Sequence, residues 1–201
     1  MERTLQRKTD HRESPDDPSA PEEMLALWAA ADPSAFSPLY SRYIDSVYRY
    51  CYRSLGTREA AEDASSAVFM KALAALPSYR PMGGTFRSWL FAIAHNVLVD
   101  EHRKRRPPDE VYGDRLDIPD SAPNPESTVL FAEAGQTVKA LLARLTPDQA
   151  SVVELRLAGL SGQEVAQALG RSPNTVKVDQ YRAYARLRAL FAEKEGNDAA
   201  R

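Results

Sequence analysis

LSGQEVAQALGRSPNTVKV, residues 160–178, carries the start and stop signals of two short helices joined by a tight turn. Ser161 precedes an apolar run and Glu164 follows three residues on. That is the spacing of a capping box, in which hydroxyl and carboxylate each satisfy an orphan backbone N–H. Val165, Ala166 and Leu169 supply a buried side, and the small Ala166 lets a second helix approach closely. Gly170 suits a left-handed turn. Ser172 is predicted to cap the second helix, with Pro173 in its first turn, where a missing N–H costs nothing. Val176 should point inward while Asn174, Thr175 and Lys177 face out. In a helix-turn-helix the second helix enters the DNA major groove, so Arg171, Ser172, Asn174, Thr175, Lys177 and Arg182 become candidate DNA contacts. An ordinary helical hairpin would share the caps, but Arg182, Arg186 and Arg188 downstream favour DNA. Asp179 reads as exposed on this helix and would repel phosphate, unless it accepts a hydrogen bond from cytosine or from a neighbouring Arg.

Upstream, TFRSWLFAIAHNVLVDEHRKRR (residues 85–106) runs from aromatic residues through a helical pattern into four consecutive cations. Phe86, Leu90, Ile93 and Val97 fall four, three and four apart, a core stripe. Trp89, Asn96, Asp100 and Arg103 lie on another side, where an indole and an amide could stack on unpaired bases and bond their edges. Arg103 to Arg106 alone would suit any helix C-terminus, which the macrodipole makes favourable for cations. His95 and His102 stand seven apart, close to one face. With a single cysteine, Cys51, and no matching partner, they read as contacts to solvent or nucleic acid rather than to metal.

The remaining chain reads as helix and tether. The 201 residues, 43% of them hydrophobic, suffice for one medium or two small cores. One cysteine excludes a disulfide framework. No window approaches the ~20 apolar residues of a membrane span, and the N-terminus lacks the apolar stretch of a secretory signal. A cytoplasmic protein with no membrane insertion, no cofactor and no metal is expected. Residues 1–21 are polar and Pro-bearing and read as a disordered leader. Helical periodicity starts at Glu22, Gly56 reads as a C-cap, and Thr57 opens the next helix, which ends before Pro77. PPDEVYGDRLDIPDSAPNPE reads as an extended linker, after which helical patterning resumes from Ser127 to Arg144. Helices follow over 147–157 and 162–169 and from Pro173 to about Lys194. The fold class is all-α, with two small helical lobes joined by an acidic linker. Charge follows the same division: residues 24–106 hold eleven Lys/Arg against seven Asp/Glu, residues 107–128 one against six, and residues 129–195 nine against seven. Two mildly basic segments thus flank an acidic tether.

FRSWLFAIAHNVLVDEHRKRR, preceded by AAEDASSAVFMKAL and followed by a terminal helix-turn-helix, resembles a bacterial sigma factor. The two-lobed layout is similar to the extracytoplasmic-function (ECF) group over roughly residues 24–193. The resemblance implies a region-2-like domain at 22–106, an acidic linker at 107–128, a region-4-like domain at 129–195 and a tail at 196–201. It implies that Glu62, Asp63, Val68 and Phe69 dock on core RNA polymerase. It assigns capture of a flipped base to the loop from Tyr79 to Thr85. Tyr79, Arg80, Gly84, Phe86, Arg87, Trp89, Asn96, Asp100, Arg103 and Lys104 become contacts to the minus-ten element, and the residues at 171–182 contacts to the minus-thirty-five element. Promoter DNA, core polymerase and an anti-sigma factor are the implied partners. Val178, Asp179, Gln180, Tyr181, Ala183 and Tyr184 depart from the family's Arg-rich run after the TVK triplet, which should weaken phosphate attraction and alter the sequence read. A stand-alone DNA-binding regulator is the competing expectation. An enzyme is not expected: no phosphate-cradling Gly loop or Glu-x-x-His pair is present.

Overall fold

A computed structural model describes residues 20–81, 83–105, 138 and 140–198. Seven α-helices lie wholly among them: α1 (Glu22–Ala31), α2 (Ser37–Leu55), α3 (Arg58–Ala75), α4 (Phe86–Arg105), α5 (Pro147–Leu157), α6 (Gly162–Leu169) and α7 (Pro173–Asp198). Short 3-10 turns fill Pro33–Phe36 and Leu76–Ser78, and no strand is present among the described residues. The leader up to residue 19, the linker, Arg106 and most of the expected helix Ser127–Arg144 lie outside them. Within that last stretch, residues 138 and 140–142 are helical.

Local signals set the helix ends. Gly56 adopts φ 82° and closes α2, and the Thr57 hydroxyl then accepts from the Ala60 amide at 3.3 Å to start α3. The single long helix suggested by the periodicity after Glu22 is broken in two. Asp32 leaves the helix in an extended conformation and its carboxylate accepts from Ser34 N–H at 3.0 Å, which starts the 3-10 turn that redirects the chain. The helix α4 begins on a paired cap. The Ser88 amide donates to Thr85 Oγ1 at 3.1 Å, and the Arg87 amide donates to Glu22 Oε1 at 2.8 Å. Tyr43 Oη donates to the other oxygen of Glu22, so α1 supplies an acid that ties α2 to the start of α4. A carboxylate there also meets the positive end of the helix dipole.

The first-lobe core is built from Leu39, Val47, Tyr50, Leu55, Val68, Leu76, Phe86, Leu90 and Phe91, all essentially without solvent contact. Tyr50 meets Phe91 edge-on, with ring centroids 5.5 Å apart. In the second lobe, Leu142, Leu145, Ala150, Val153 and Ala183 form a small core between α5 and α7. The other faces of α5 and α6 do not close on themselves. Val152, Leu155, Leu160, Val165 and Ala166 join the first-lobe core. The two lobes expected to be merely tethered are therefore packed together, α6 against α4 and α5 against α2.

Candidate nucleic-acid interface

The helix-turn-helix follows its sequence pattern closely. Ser161 and Glu164 make the full capping box: Ser161 N–H reaches Glu164 Oε2 at 2.8 Å and Glu164 N–H reaches Ser161 Oγ at 3.2 Å. Gly170 takes φ 62° and ends α6. Thr175 N–H donates to Ser172 Oγ at 3.1 Å to start α7. Val176 is buried, Asn174, Thr175, Lys177 and Arg182 are exposed, and Ala168 rather than Leu169 completes the fully buried side of α6.

Asp179 is less exposed than expected, and of the two partners foreseen for it the neighbouring Arg is the one present. Its side chain is only 16% exposed and pairs with Arg171 at 3.5 Å. Arg171 also grips Asp148 on α5 at 2.5 Å. The cation expected to reach for DNA is thus held between two carboxylates, and the acid expected to repel phosphate is neutralised beside it. Arg171 ties α5 to α7 and fixes the attitude of the second helix.

The candidate minus-ten residues divide into three groups. Tyr79 and Phe86 are buried, their rings 5.6 Å apart, and Trp89 is half-buried against both at 5.1 and 5.3 Å. These three aromatics form one cluster, so the core stripe and the aromatic face of α4 are not separate at its first turn. Arg80, Asn96, Arg103 and Lys104 are exposed. Asp100 sits between Lys71 at 3.7 Å and Arg103 at 3.9 Å, and Lys104 pairs with Glu101 at 2.8 Å.

Gly84 and Arg87 are covered by the second lobe. Gln167 on α6 donates to the Gly83 carbonyl, and a Cβ at Gly84 would stand 3.2 Å from Gln167 Oε1. Arg87 Nη2 reaches the Ala158 carbonyl at 3.4 Å, and a Cβ on Gly159, whose φ is +90°, would come within 2.9 Å of it. Thr85 Oγ1 donates to Glu164 Oε1 at 3.0 Å, linking the cap of α4 to the cap of α6. Burial opposes the charge on Glu164, yet the bonds from Ser161 and Thr85 outweigh it and hold the carboxyl below its ordinary value. Ala158, Gly159 and Gln167 are not among the residues expected from the sequence, and Thr85 is among them only as the end of the loop assigned to base capture. Thr85 was findable as a cap residue ahead of Phe86, but the contacts between lobes left no local signal.

The two histidines face inward rather than toward nucleic acid. His95 Nδ1 lies 3.3 Å from Tyr50 Oη and His102 Nε2 lies 2.9 Å from Ser54 Oγ. Burial lowers the pKa of both. No cluster of His, Cys, Asp or Glu able to hold a metal occurs among the described residues, and none of the helices searched there is long and apolar enough to cross a membrane.

On α3, Glu62 and Asp63 are exposed, and Glu62 pairs with Arg58 at 2.7 Å. Val68 is fully buried and Phe69 nearly so. Beside them Met70 is 70% exposed and Leu73 40% exposed. A groove of about 450 Å³ between α2 and α3 is lined by Tyr40, Ile44, Glu62, Phe69, Met70 and Leu73 among others. The accessible apolar surface of this helix is therefore Met70 and Leu73, with Phe69 at the groove floor and Val68 beneath it.

Residues 39–107 match the Sigma-70 region 2 family and residues 136–187 match Sigma-70 region 4. The chain is 38% identical to the ECF RNA polymerase sigma factor ShbA of Streptomyces griseus, over 71% of this chain and 80% of that protein. It is 30% identical to the ECF sigma factor SigE of Mycolicibacterium smegmatis, over 95% and 75%. Identity to BldN of Streptomyces coelicolor is 35% over 85% of this chain, which spans 66% of that relative's length. Among solved structures it is similar to CnrH in complex with the cytosolic domain of CnrY, with TM-score 0.67 and 27% identity over 88% of this chain and 99% of that one. It is also similar to the sigma factor RpoE in complex with the anti-sigma factor NepR from Bartonella quintana, with TM-score 0.59 and 25% identity over 78% and 96%. Two sigma-family matches in the expected order, on a helical fold whose second lobe ends in a fully capped helix-turn-helix, place this chain in the ECF group of RNA polymerase sigma factors.

Proposed function

We propose that this chain binds core RNA polymerase, directs it to specific promoters and helps melt the minus-ten element. The observation that carries this reading is the free face of the helix-turn-helix in a chain that also holds the region 2 fold. A stand-alone regulator would have no use for the first lobe. Polymerase docks along α3, where Glu62 and Asp63 offer charge and Met70 and Leu73 offer apolar area, with Val68 and Phe69 shaping that surface from below. Arg80, Trp89, Asn96, Arg103 and Lys104 meet the minus-ten region, with Asp100 orienting Arg103. Tyr79 and Phe86 hold Trp89 in place and do not themselves stack on bases in this arrangement. Gly84 and Arg87 lie under α6 and the turn before it, so they reach DNA in a form with the lobes apart. The solved relatives bound to CnrY and NepR support an anti-sigma protein as a further partner.

Transcription by core polymerase with this chain, on promoter fragments recovered with the holoenzyme, tests the reading. A stable complex and run-off transcripts are expected. Tight binding of the free chain to duplex DNA without assembly on polymerase would instead support the stand-alone regulator.

A further inference from the structure

On α7, Asn174, Lys177, Val178 and Tyr181 fall at intervals of three, one and three. These are the i, i+3, i+4 and i+7 positions of a single helical stripe. All four are exposed, Val178 by 39% and Tyr181 by 74%. The opposite side carries Val176 and Ala183, both buried, and Asp179, turned aside into its pair with Arg171. The outward stripe is therefore polar for its first turn and apolar for its second. Lys177 lies on it and the exposed Arg182 beside it, so the apolar part has cations at its margins.

In the major groove only thymine presents an apolar group, its C5-methyl, while every other base edge offers donors and acceptors. A valine and a tyrosine ring displayed there, in place of cations or amides, fit methyl contact and leave unpaired any polar base edge set against them. From Asn174 to Tyr181 the helix advances about 10 Å, or about three base-pair steps at 3.4 Å each.

We propose that Val178 and Tyr181 determine minus-thirty-five specificity by packing on thymine methyl groups, with Lys177 and Arg182 holding the flanking phosphates. This deepens the proposed function and rests on α7 lying in the groove. Arg171 then acts as a positioning residue, since its two carboxylate partners fix α7 on α5.

The test uses holoenzyme and the promoter fragments it selects from sheared genomic DNA. Each fragment is resynthesised with deoxyuridine replacing thymidine in the minus-thirty-five element alone, which removes only the methyl groups. Affinity should fall about fourfold for each methyl lost, the equivalent of one buried methylene. Val178→Ala and Tyr181→Ala should each shrink that difference, and together abolish it, whereas Tyr181→Phe should retain it. Circular dichroism and thermal unfolding of the variants, whose side chains are exposed, should match the parent. Equal affinity for thymidine and deoxyuridine DNA would overturn the proposal. So would a difference that survives in the double variant, or selected elements without thymine in that window. Lys177→Ala separates this from the reading beneath it. If it weakens both DNAs alike while the methyl effect is absent, only the thymine proposal fails; if it changes nothing, α7 is not the reader.

Discussion

At the scale of single residues, Glu164 does two jobs with one carboxylate. It closes the capping box of α6 and receives the Thr85 hydroxyl from the other lobe. Removal of a cap costs about 1 kcal/mol in typical cases, and the bond to Thr85 should add to it. Glu164→Ala is therefore expected to destabilise the chain by about 1–2 kcal/mol in denaturant titrations. The Thr85→Ala, Glu164→Ala double-mutant cycle should show a coupling of at least about 0.5 kcal/mol. Strict additivity would show that the two caps do not communicate. The capping box itself was readable in the sequence, because a cap is a relation between residues three apart. The second job was not, because Thr85 and Glu164 are 79 residues apart and only packing brings them together. The same reasoning covers Asp179. Helical phase put it on the outside, and only the tertiary position of Arg171 turns it into a partly buried partner.

At the scale of elements, α4 shows how one helix face can serve folding and function together. Periodicity correctly placed Phe86, Leu90 and Val97 in the core, yet it separated Trp89 from them as a different face. In the structure the indole rests on Tyr79 and Phe86, with Tyr79 standing directly after the 3-10 turn Leu76–Ser78, outside the periodic pattern of α4. Loop conformation has no periodic signature, so this cluster was illegible from pattern alone. The packing alters how the helix should be tested. Trp89→Ala removes a half-buried ring and is expected to cost about 2 kcal/mol of stability, below the roughly 3–5 kcal/mol of a fully buried aromatic truncation. Trp89→Phe keeps most of the contact. If Trp89 meets separated bases, the Phe variant should still open duplex promoter at a reduced rate, and the Ala variant should transcribe a pre-melted template far better than a duplex one. Equal loss on both templates, tracking the loss of melting temperature, would assign Trp89 to the fold alone. On α3 the resemblance named Val68 and Phe69 with Glu62 and Asp63 as polymerase contacts; the two acids are exposed, whereas Val68 and Phe69 are buried and the exposed apolar residues are Met70 and Leu73. Met70→Ala and Leu73→Ala should leave thermal stability within about 0.5 kcal/mol and weaken assembly with core polymerase in a binding titration, with unchanged assembly removing this groove from the interface.

At the scale of the whole molecule, the sequence supplied two lobes and the structure supplies their closure, for which the linker gave no hint. Closure buries charge that a pair of independent lobes would leave in water. Glu154 of α5 is pushed up to about 7 from an ordinary 4.5 by burial, partly offset by Arg53 on α2. Arg53 itself is lowered by burial, and its Nε and Nη2 are buried without hydrogen-bond partners. Tyr50, raised by burial and then by Glu154, lies in the same layer. A carboxyl whose folded pKa is raised binds its proton more tightly folded than unfolded. Its contribution is therefore most favourable below about 4.5 and is lost as pH rises toward 7. His95 and His102, lowered by burial, act in the opposite sense, because the unfolded chain takes up their protons first as pH falls through the ordinary value of 6.5. Comparison with Glu154→Gln cancels the histidine contribution. The two proteins should unfold at similar denaturant concentrations near pH 4.5. The variant should then gain relative stability up to about pH 7 and hold a constant lead above it. Each pH unit in that window contributes about 1.4 kcal/mol, which puts the plateau on the order of 3 kcal/mol. A difference independent of pH would mean that Glu154 stays in water and that α5 does not close on α2 in solution. A lead that appears in the free chain and vanishes once the chain is assembled on core polymerase would place the burial of Glu154 in the contact between lobes, and would make that contact one the polymerase breaks.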